Sequence, residues 1–159
     1  MDVDCDGIQT PPCDTDATGQ PQTSIVDLAP TGDVDPTKLP YFVIPLGTPE
    51  TTWYQSHEVQ LGQLGAVIYK GRVEYGIFAD EAGGAFIGES SYAMCQLFLG
   101  APAGNDDPCD PNHGGIDPAD VTYVTFTGAA NRVRGADIYD HVKQTTLGGA
   151  AARAWVGAP

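Results

Sequence analysis

The chain has 159 residues and a mass of 16.7 kDa, enough for one domain that buries about two-thirds of its unfolded surface. Hydrophobic residues at 42% exclude wholesale disorder, and 20 Gly with 13 Pro favour strands and turns over long helices. Seven Lys+Arg against 21 Asp+Glu give a net charge of -14, which excludes phosphate backbones and anionic membranes as natural partners and favours cationic substrates or divalent metal ions.

Residues 1–38, rich in Asp, Thr, Pro and Gly, read as an extended, locally braced N-terminal arm, with a single domain over 39–159. The opening Met1-Asp2-Val3-Asp4 has no basic start and no apolar stretch, so no signal peptide is read, and no run approaches the ~18 apolar residues of a membrane span. Asp2-x-Asp4-x-Asp6-Gly7-Ile8 matches the first half of a calcium loop, in which alternate oxygens converge around a Gly turn. Cys13 stands where the bidentate Glu of such a loop belongs. The expected site is therefore a structural Ca2+ held by Asp2, Asp4, Asp6, the main chain near Ile8 and Asp14 or Asp16; a solvated acidic tail is the alternative. Cysteines at 5, 13, 95 and 109 form no CxxC and are flanked by Asp, Pro and Gly, which points to disulfides and an exported protein rather than buried thiols. Of three connectivities, Cys5–Cys13 with Cys95–Cys109 is the most local.

Tyr41-Phe42-Val43-Ile44 reads as a strand stopped by Pro45, then a turn at Gly47-Thr48-Pro49 and a further extended piece at Thr51-Thr52-Trp53-Tyr54. The alternating segments 65–69 and 73–78 predict a hairpin around Lys70-Gly71-Arg72. Asp80 lies just past it, and a Gly-rich loop leads to Phe86-Ile87-Gly88-Glu89. Ser90 or Ser91 caps a helix that runs to Phe98 and ends at Gly100 and Pro102. A long acidic loop over 101–120 precedes the strand 121–126, a helical turn around Ile138–Val142 and an Ala-rich helix to Trp155.

Two carboxylates stand out by position: Asp80 at a strand end and Glu89 at a helix start, each at the rim of a rigid scaffold. A pair of acids in one cleft can divide into a protonated acid and an ionised base, as glycoside hydrolysis needs. The bland alternative is a turn residue and a helix-dipole partner. His57-Glu58-Val59-Gln60-Leu61 is half a zinc-protease motif without its second His, and GxSxG, Walker and GxGxxG patterns are absent.

The stretch from Leu64 to Gly100, with Tyr75-Gly76-Ile77-Phe78-Ala79-Asp80 and Gly88-Glu89-Ser90-Ser91, resembles the core of the fungal-type chitosanases, glycoside hydrolase family 75. Asp2-Val3-Asp4-Cys5-Asp6-Gly7, Tyr41-Phe42-Val43-Ile44-Pro45 and Val121–Gly128 are similar to family segments as well. The sequence departs from the pattern at Ala79, where Gly is common, and in the shortened loop Glu81-Ala82-Gly83-Gly84. The resemblance implies endo-hydrolysis of β-1,4 linkages in chitosan and chito-oligosaccharides with inversion, Asp80 and Glu89 being the essential catalytic pair and no cofactor serving the chemistry. By analogy it also implies a mainly β fold, a compact six-stranded double-psi-like β-barrel with one or two short helices.

Glu89 is the expected general acid, desolvated at a helix start beside Phe86 and Ile87, and Asp80 the base. Expected to bind substrate are Glu81, Asp106, Asp107, Asp110, Asp117 and His113, with Trp53, Tyr54 and Tyr92 as stacking platforms; solvated loop and core residues are the alternative readings. The expected protein is a secreted monomer. Its competitors are an expansin-like barrel that grips polysaccharide without cutting it and a calcium-stabilised adhesion module.

Overall fold

Positive φ at Lys70 (48°) and Gly71 (76°) closes the expected hairpin, joining β3 (Leu64–Tyr69) to β4 (Arg72–Gly83). Tyr69 pairs with Arg72, so the turn has two residues rather than three and Arg72 belongs to the strand. Two consecutive left-handed residues match the twist of the flanking strands, which explains the shorter loop. The computed structural model describes residues 1–26, 29–30, 32–46, 53–83, 87–103, 106–117 and 120–157, without the side chains of 46, 53 and 55. The turn expected at 47–49 and the Phe86 neighbour of Glu89 lie outside the described residues.

Before the hairpin come β1 (Asp2–Asp4), β2 (Tyr41–Leu46) and a single helical turn, α1 (Trp53–Ser56). Where an extended piece was expected at Trp53 and Tyr54, the Tyr54 carbonyl instead accepts the amides of His57 and Val59 at 3.1 and 3.0 Å and winds the chain. After the hairpin come β5 (Glu89–Ser91), α2 (Tyr92–Leu99), β6 (Thr122–Thr125) and α3 (His141–Trp155). Among the described residues the six strands form one mixed sheet in the order β1-β5-β2-β4-β3-β6. The fold is thus mainly β, but among the described residues the sheet does not close into the expected six-stranded double-psi-like barrel: β1 and β6 are its edge strands. Among the described residues, β1–β5 and β2–β4 pair in parallel and the other pairs run antiparallel.

Period-2 alternation sends side chains to two faces. Phe42, Val67 and Phe78 join Tyr92, Met94 and Phe98 of α2 in one core. Tyr41, Val43, Leu64 and Ile77 meet Ile25, Val34, Phe126 and Ile138 in the other, against which Ala151 and Ala152 of α3 pack. Ser91 caps α2 by accepting the Met94 amide at 3.1 Å, and Gly100 ends the helix at φ 91°. Asp140 caps α3 through the Lys143 amide at 2.8 Å, after a 3-10 turn over Gly135–Tyr139. Gly148 lets that helix rest directly on the Tyr75 ring.

Both disulfides form as expected, Cys5–Cys13 and Cys95–Cys109. The N-terminal segment is braced but is more than an arm: β1 enters the sheet, and Val3, Ile25 and Val34 are core residues. Its few apolar side chains understated this because each is isolated among Asp, Thr and Pro.

Gly65 marks the tightest crossing. A Cβ there would lie 2.6 Å from two ring atoms of Phe42 and 2.6 Å from the Val124 carbonyl oxygen. Gly65→Ala is therefore expected to destabilise the protein by about 1–3 kcal/mol. At roughly 2–4 °C per kcal/mol for a chain of this size, circular-dichroism melting should fall by about 2–12 °C. An unchanged melting temperature would show that the crossing has slack.

Candidate active site

A bulge in the parallel pair β2–β4 aims Asp80. Phe42 pairs with Phe78, yet Val43 pairs with Asp80, so Ala79 is the extra residue. Bulges bend a strand and re-aim the side chains next to them, and they recur beside functional sites. Asp80 therefore lies inside β4, not beyond it as expected, and is only 6% exposed. Its Oδ1 accepts the Ser24 amide at 2.7 Å and the Ser24 hydroxyl at 3.0 Å. That hydroxyl also accepts the Glu81 amide at 3.2 Å, so residue 24 clamps the strand at this point.

Glu89 opens β5 rather than the helix; α2 starts three residues later, behind the Ser91 cap. Parallel pairing sets Glu89 beside Asp2, and the Asp2 amide donates to the Gly88 carbonyl at 2.7 Å. Burial pushes the half-buried Glu89 carboxyl above its ordinary range, and the negative charges of Asp2 and Asp80 push it further the same way. Ile87 does not provide that burial, since it is 65% exposed.

Asp80 and Glu89 both line a cavity of about 230 Å³, together with Asp2, Asp4, Asp6, Gln20 and Glu81. Beyond Glu89 a wider cavity of about 820 Å³ runs past Ile87, His113, Asp117, Val121 and Tyr123. Asp2 and Glu89 line both, so the candidate acid stands in the wall of each space.

One oxygen from each of Asp4, Asp6 and Asp80 lies within 4.8 Å of the others. Asp4 Oδ1 accepts the Asp6 amide at 2.8 Å, and Asp6 Oδ1 accepts the Gln20 amide at 2.6 Å. Burial holds the Asp4 carboxyl well above the usual carboxylate range; it and neighbouring charges push Asp6 up to about 6. The acids expected to hold a cation do not all come together. Asp4 and Asp6 turn towards Asp80, and the other acids fall outside the group. Asp2 Oδ1 accepts the Val3 amide, Asp16 Oδ1 accepts the amide and hydroxyl of Thr18, Asp14 sits exposed on a 3-10 turn, and the Ile8 amide donates to Val34.

The remaining expected binding residues divide. Glu81 lines the smaller cavity, its Oε1 accepting the Tyr54 hydroxyl at 3.2 Å. His113 and Asp117 line the larger one. Tyr54 and Tyr92 are buried core residues, 3% and 4% exposed, so neither ring is a platform; the Tyr92 hydroxyl donates to Asp107 at 2.8 Å. Asp107 also caps the Cys109 amide, and Asp110 pairs with the Asn112 amide and His113. Asp106 is exposed beside the bridge to Ala103. The Trp53 side chain lies outside the described residues. Sequence reasoning missed Tyr123, whose hydroxyl accepts from Ser90 at 3.4 Å, and Ser24, a lone Ser in a polar segment with no pattern to mark it.

Residues 1–147 match the family described as fungal chitosanase of glycosyl hydrolase group 75. An endo-chitosanase of Aspergillus fumigatus is 34% identical over 138 residues, which is 80% of this chain and 53% of that protein. Endo-chitosanase B of Aspergillus oryzae is 33% identical over 136 residues, with the same 80% and 53% shares, and endo-chitosanase C of that species is 32% identical over 132 residues, 80% and 30%. The chain thus spans about half the length of the first two relatives, and less of the third.

Proposed function

The chain belongs to the fungal chitosanases of glycosyl hydrolase group 75, and we propose that it cuts β-1,4 linkages within chitosan, the polymer of glucosamine, with inversion at the anomeric carbon. The observation that carries this reading is the shared cavity: Asp80 and Glu89 come from different strands and face one acidic space. Glu89, its carboxyl kept protonated to higher pH by burial, gives its proton to the leaving glycosidic oxygen. Asp80, with Oδ1 fixed by Ser24, takes a proton from the water that attacks the opposite face of the sugar. The polymer is a polycation in mild acid, so a cavity ringed by carboxylates raises its local concentration. The larger cavity, which also has Glu89 in its wall, suits the leaving part of the chain.

The protein acts in this reading as an extracellular monomer whose two disulfides suit an oxidising environment. A non-catalytic, expansin-like grip is disfavoured by the hydrolase family and by the two carboxylates in one cavity.

Release of reducing ends from chitosan, compared with chitin and cellulose, tests the proposal. Rapid release from chitosan alone is the expected result; none from chitosan would refute it. Glu81→Gln should cost less than about tenfold in kcat/KM, mainly through KM, because one rim charge tunes attraction rather than proton transfer. Complete loss in that variant would move the base role from Asp80 to its neighbour.

A further inference from the structure

The smaller cavity has a feature that hydrolysis does not use. Asp4 Oδ2 is buried without a well-formed hydrogen bond, since the Tyr41 hydroxyl beside the Asp4 carboxyl donates to the Asp6 carbonyl at 3.0 Å, and the Asp4 carboxyl lies close to those of Asp6 and Asp80. A buried oxygen of this kind needs a proton or a cation. Among the described residues lining the cavity there is no Lys, Arg or His, so none of them offers a basic group to the three carboxylates.

We infer that Asp4, Asp6 and Asp80 form a binding site for one hard divalent cation, calcium by its chemistry. The donors are all carboxylate oxygens, which suit hard ions and exclude the soft ones that seek thiolate. Oxygens around one calcium stand at most about 4.8 Å apart, twice a bond of roughly 2.4 Å. The three oxygens already satisfy that limit. Backbone amides and the Ser24 hydroxyl anchor one oxygen of each carboxylate, so the donors are pre-oriented. The cavity, at about 230 Å³, leaves room for the waters that complete a calcium shell.

The inference goes beyond the hydrolytic reading and changes what such an ion does. A cation held only by the N-terminal loop would act as a brace. One that includes Asp80 also occupies the proposed base, so it stabilises the fold and slows turnover together.

Calcium chloride titrated by calorimetry into the full chain, stripped of metal with EDTA, provides the test. One saturable site and a higher melting temperature with calcium are expected, with at least a tenfold weaker affinity in Asp4→Asn and in Asp6→Asn. Chitosan hydrolysis should fall as the site fills. Absence of both heat and thermal shift at roughly 10 mM calcium, above the weak ~10⁻³ M end of extracellular calcium modules, overturns the inference. Undiminished binding in both variants, or full activity of the calcium-loaded protein, does so too. Because binding is read without turnover, failure here leaves the chitosanase reading to its own assay: calcium-free protein that cuts no chitosan refutes the function, not the site.

Discussion

Asp80→Asn and Glu89→Gln are each expected to lower chitosan hydrolysis by at least about 10²–10⁴-fold, measured as the initial rate of reducing-end release. Both changes keep shape and remove a proton-transfer function. Asp80 is buried and held by the Ser24 amide and hydroxyl; Asn in the same rotamer can still accept both bonds through its carbonyl oxygen. Folding should survive in both variants, as judged by an unchanged far-ultraviolet spectrum. The pH profile separates the roles. Glu89 must be protonated to act as acid, so kcat/KM falls as pH rises through its pKa. Burial and the charges of Asp2 and Asp80 raise that pKa, which shifts the basic limb upward from where an ordinary carboxyl would set it. Glu89→Gln should erase that limb along with most of the rate. Normal turnover in Glu89→Gln would defeat the mechanism outright.

Replacing both Cys95 and Cys109 with Ala should produce the largest loss of stability. Their bridge closes a loop over a separation of 14 residues, and such closure restricts the unfolded chain by roughly 2–4 kcal/mol. At about 2–4 °C per kcal/mol the melting temperature should drop by roughly 4–16 °C. The bridge joins α2 to the loop that carries His113, Asp117 and the wall of the larger cavity. Activity should therefore fade at a lower temperature than in the native protein, while hydrolysis in the cold stays close to normal. The Tyr92–Asp107 hydrogen bond and the Asp107 cap on residue 109 still hold the loop locally. A melting temperature within experimental error of the native one would mean that these contacts alone suffice.

Local features were legible in the sequence. Lys70-Gly71 carried its own turn chemistry, Ser91 its cap, and the short cysteine spacings their partners. The alternating segments 65–69 and 73–78 predicted a hairpin, and the two strands do pair as one. What alternation lacks is the identity of the neighbouring strand. No turn residue announces that Asp2 pairs with Glu89 or Tyr41 with Ile77, because a parallel pair is joined through distant chain. The open sheet and the true surroundings of Asp80 both result from those pairings. The same gap explains the acid cluster: spacing suggested a loop closing on itself through Asp2, Asp4 and Asp6, whereas alternate residues of a strand and its exit reach across to β4. The burial of Tyr54 and Tyr92 was not legible, because an aromatic with a polar tip reads alike in a core and in a groove.

The parallel pairing of β1 with β5 also sets an order on assembly during synthesis. Asp2 meets Glu89 across 87 positions of chain. At about 5–20 residues per second, the ribosome leaves the first strand without its partner for roughly 4–17 s. In that interval the Cys5–Cys13 loop can close locally, and the acidic strand repels its like, whereas the hairpin β3–β4 has everything it needs within 20 residues. The cavity, drawn from residues 2–6, 16–20, 80–83 and 89, exists only once that wait is over. Until Glu89 is made, a nascent chain carries Asp2, Asp4 and Asp6 without the place where they act together with it.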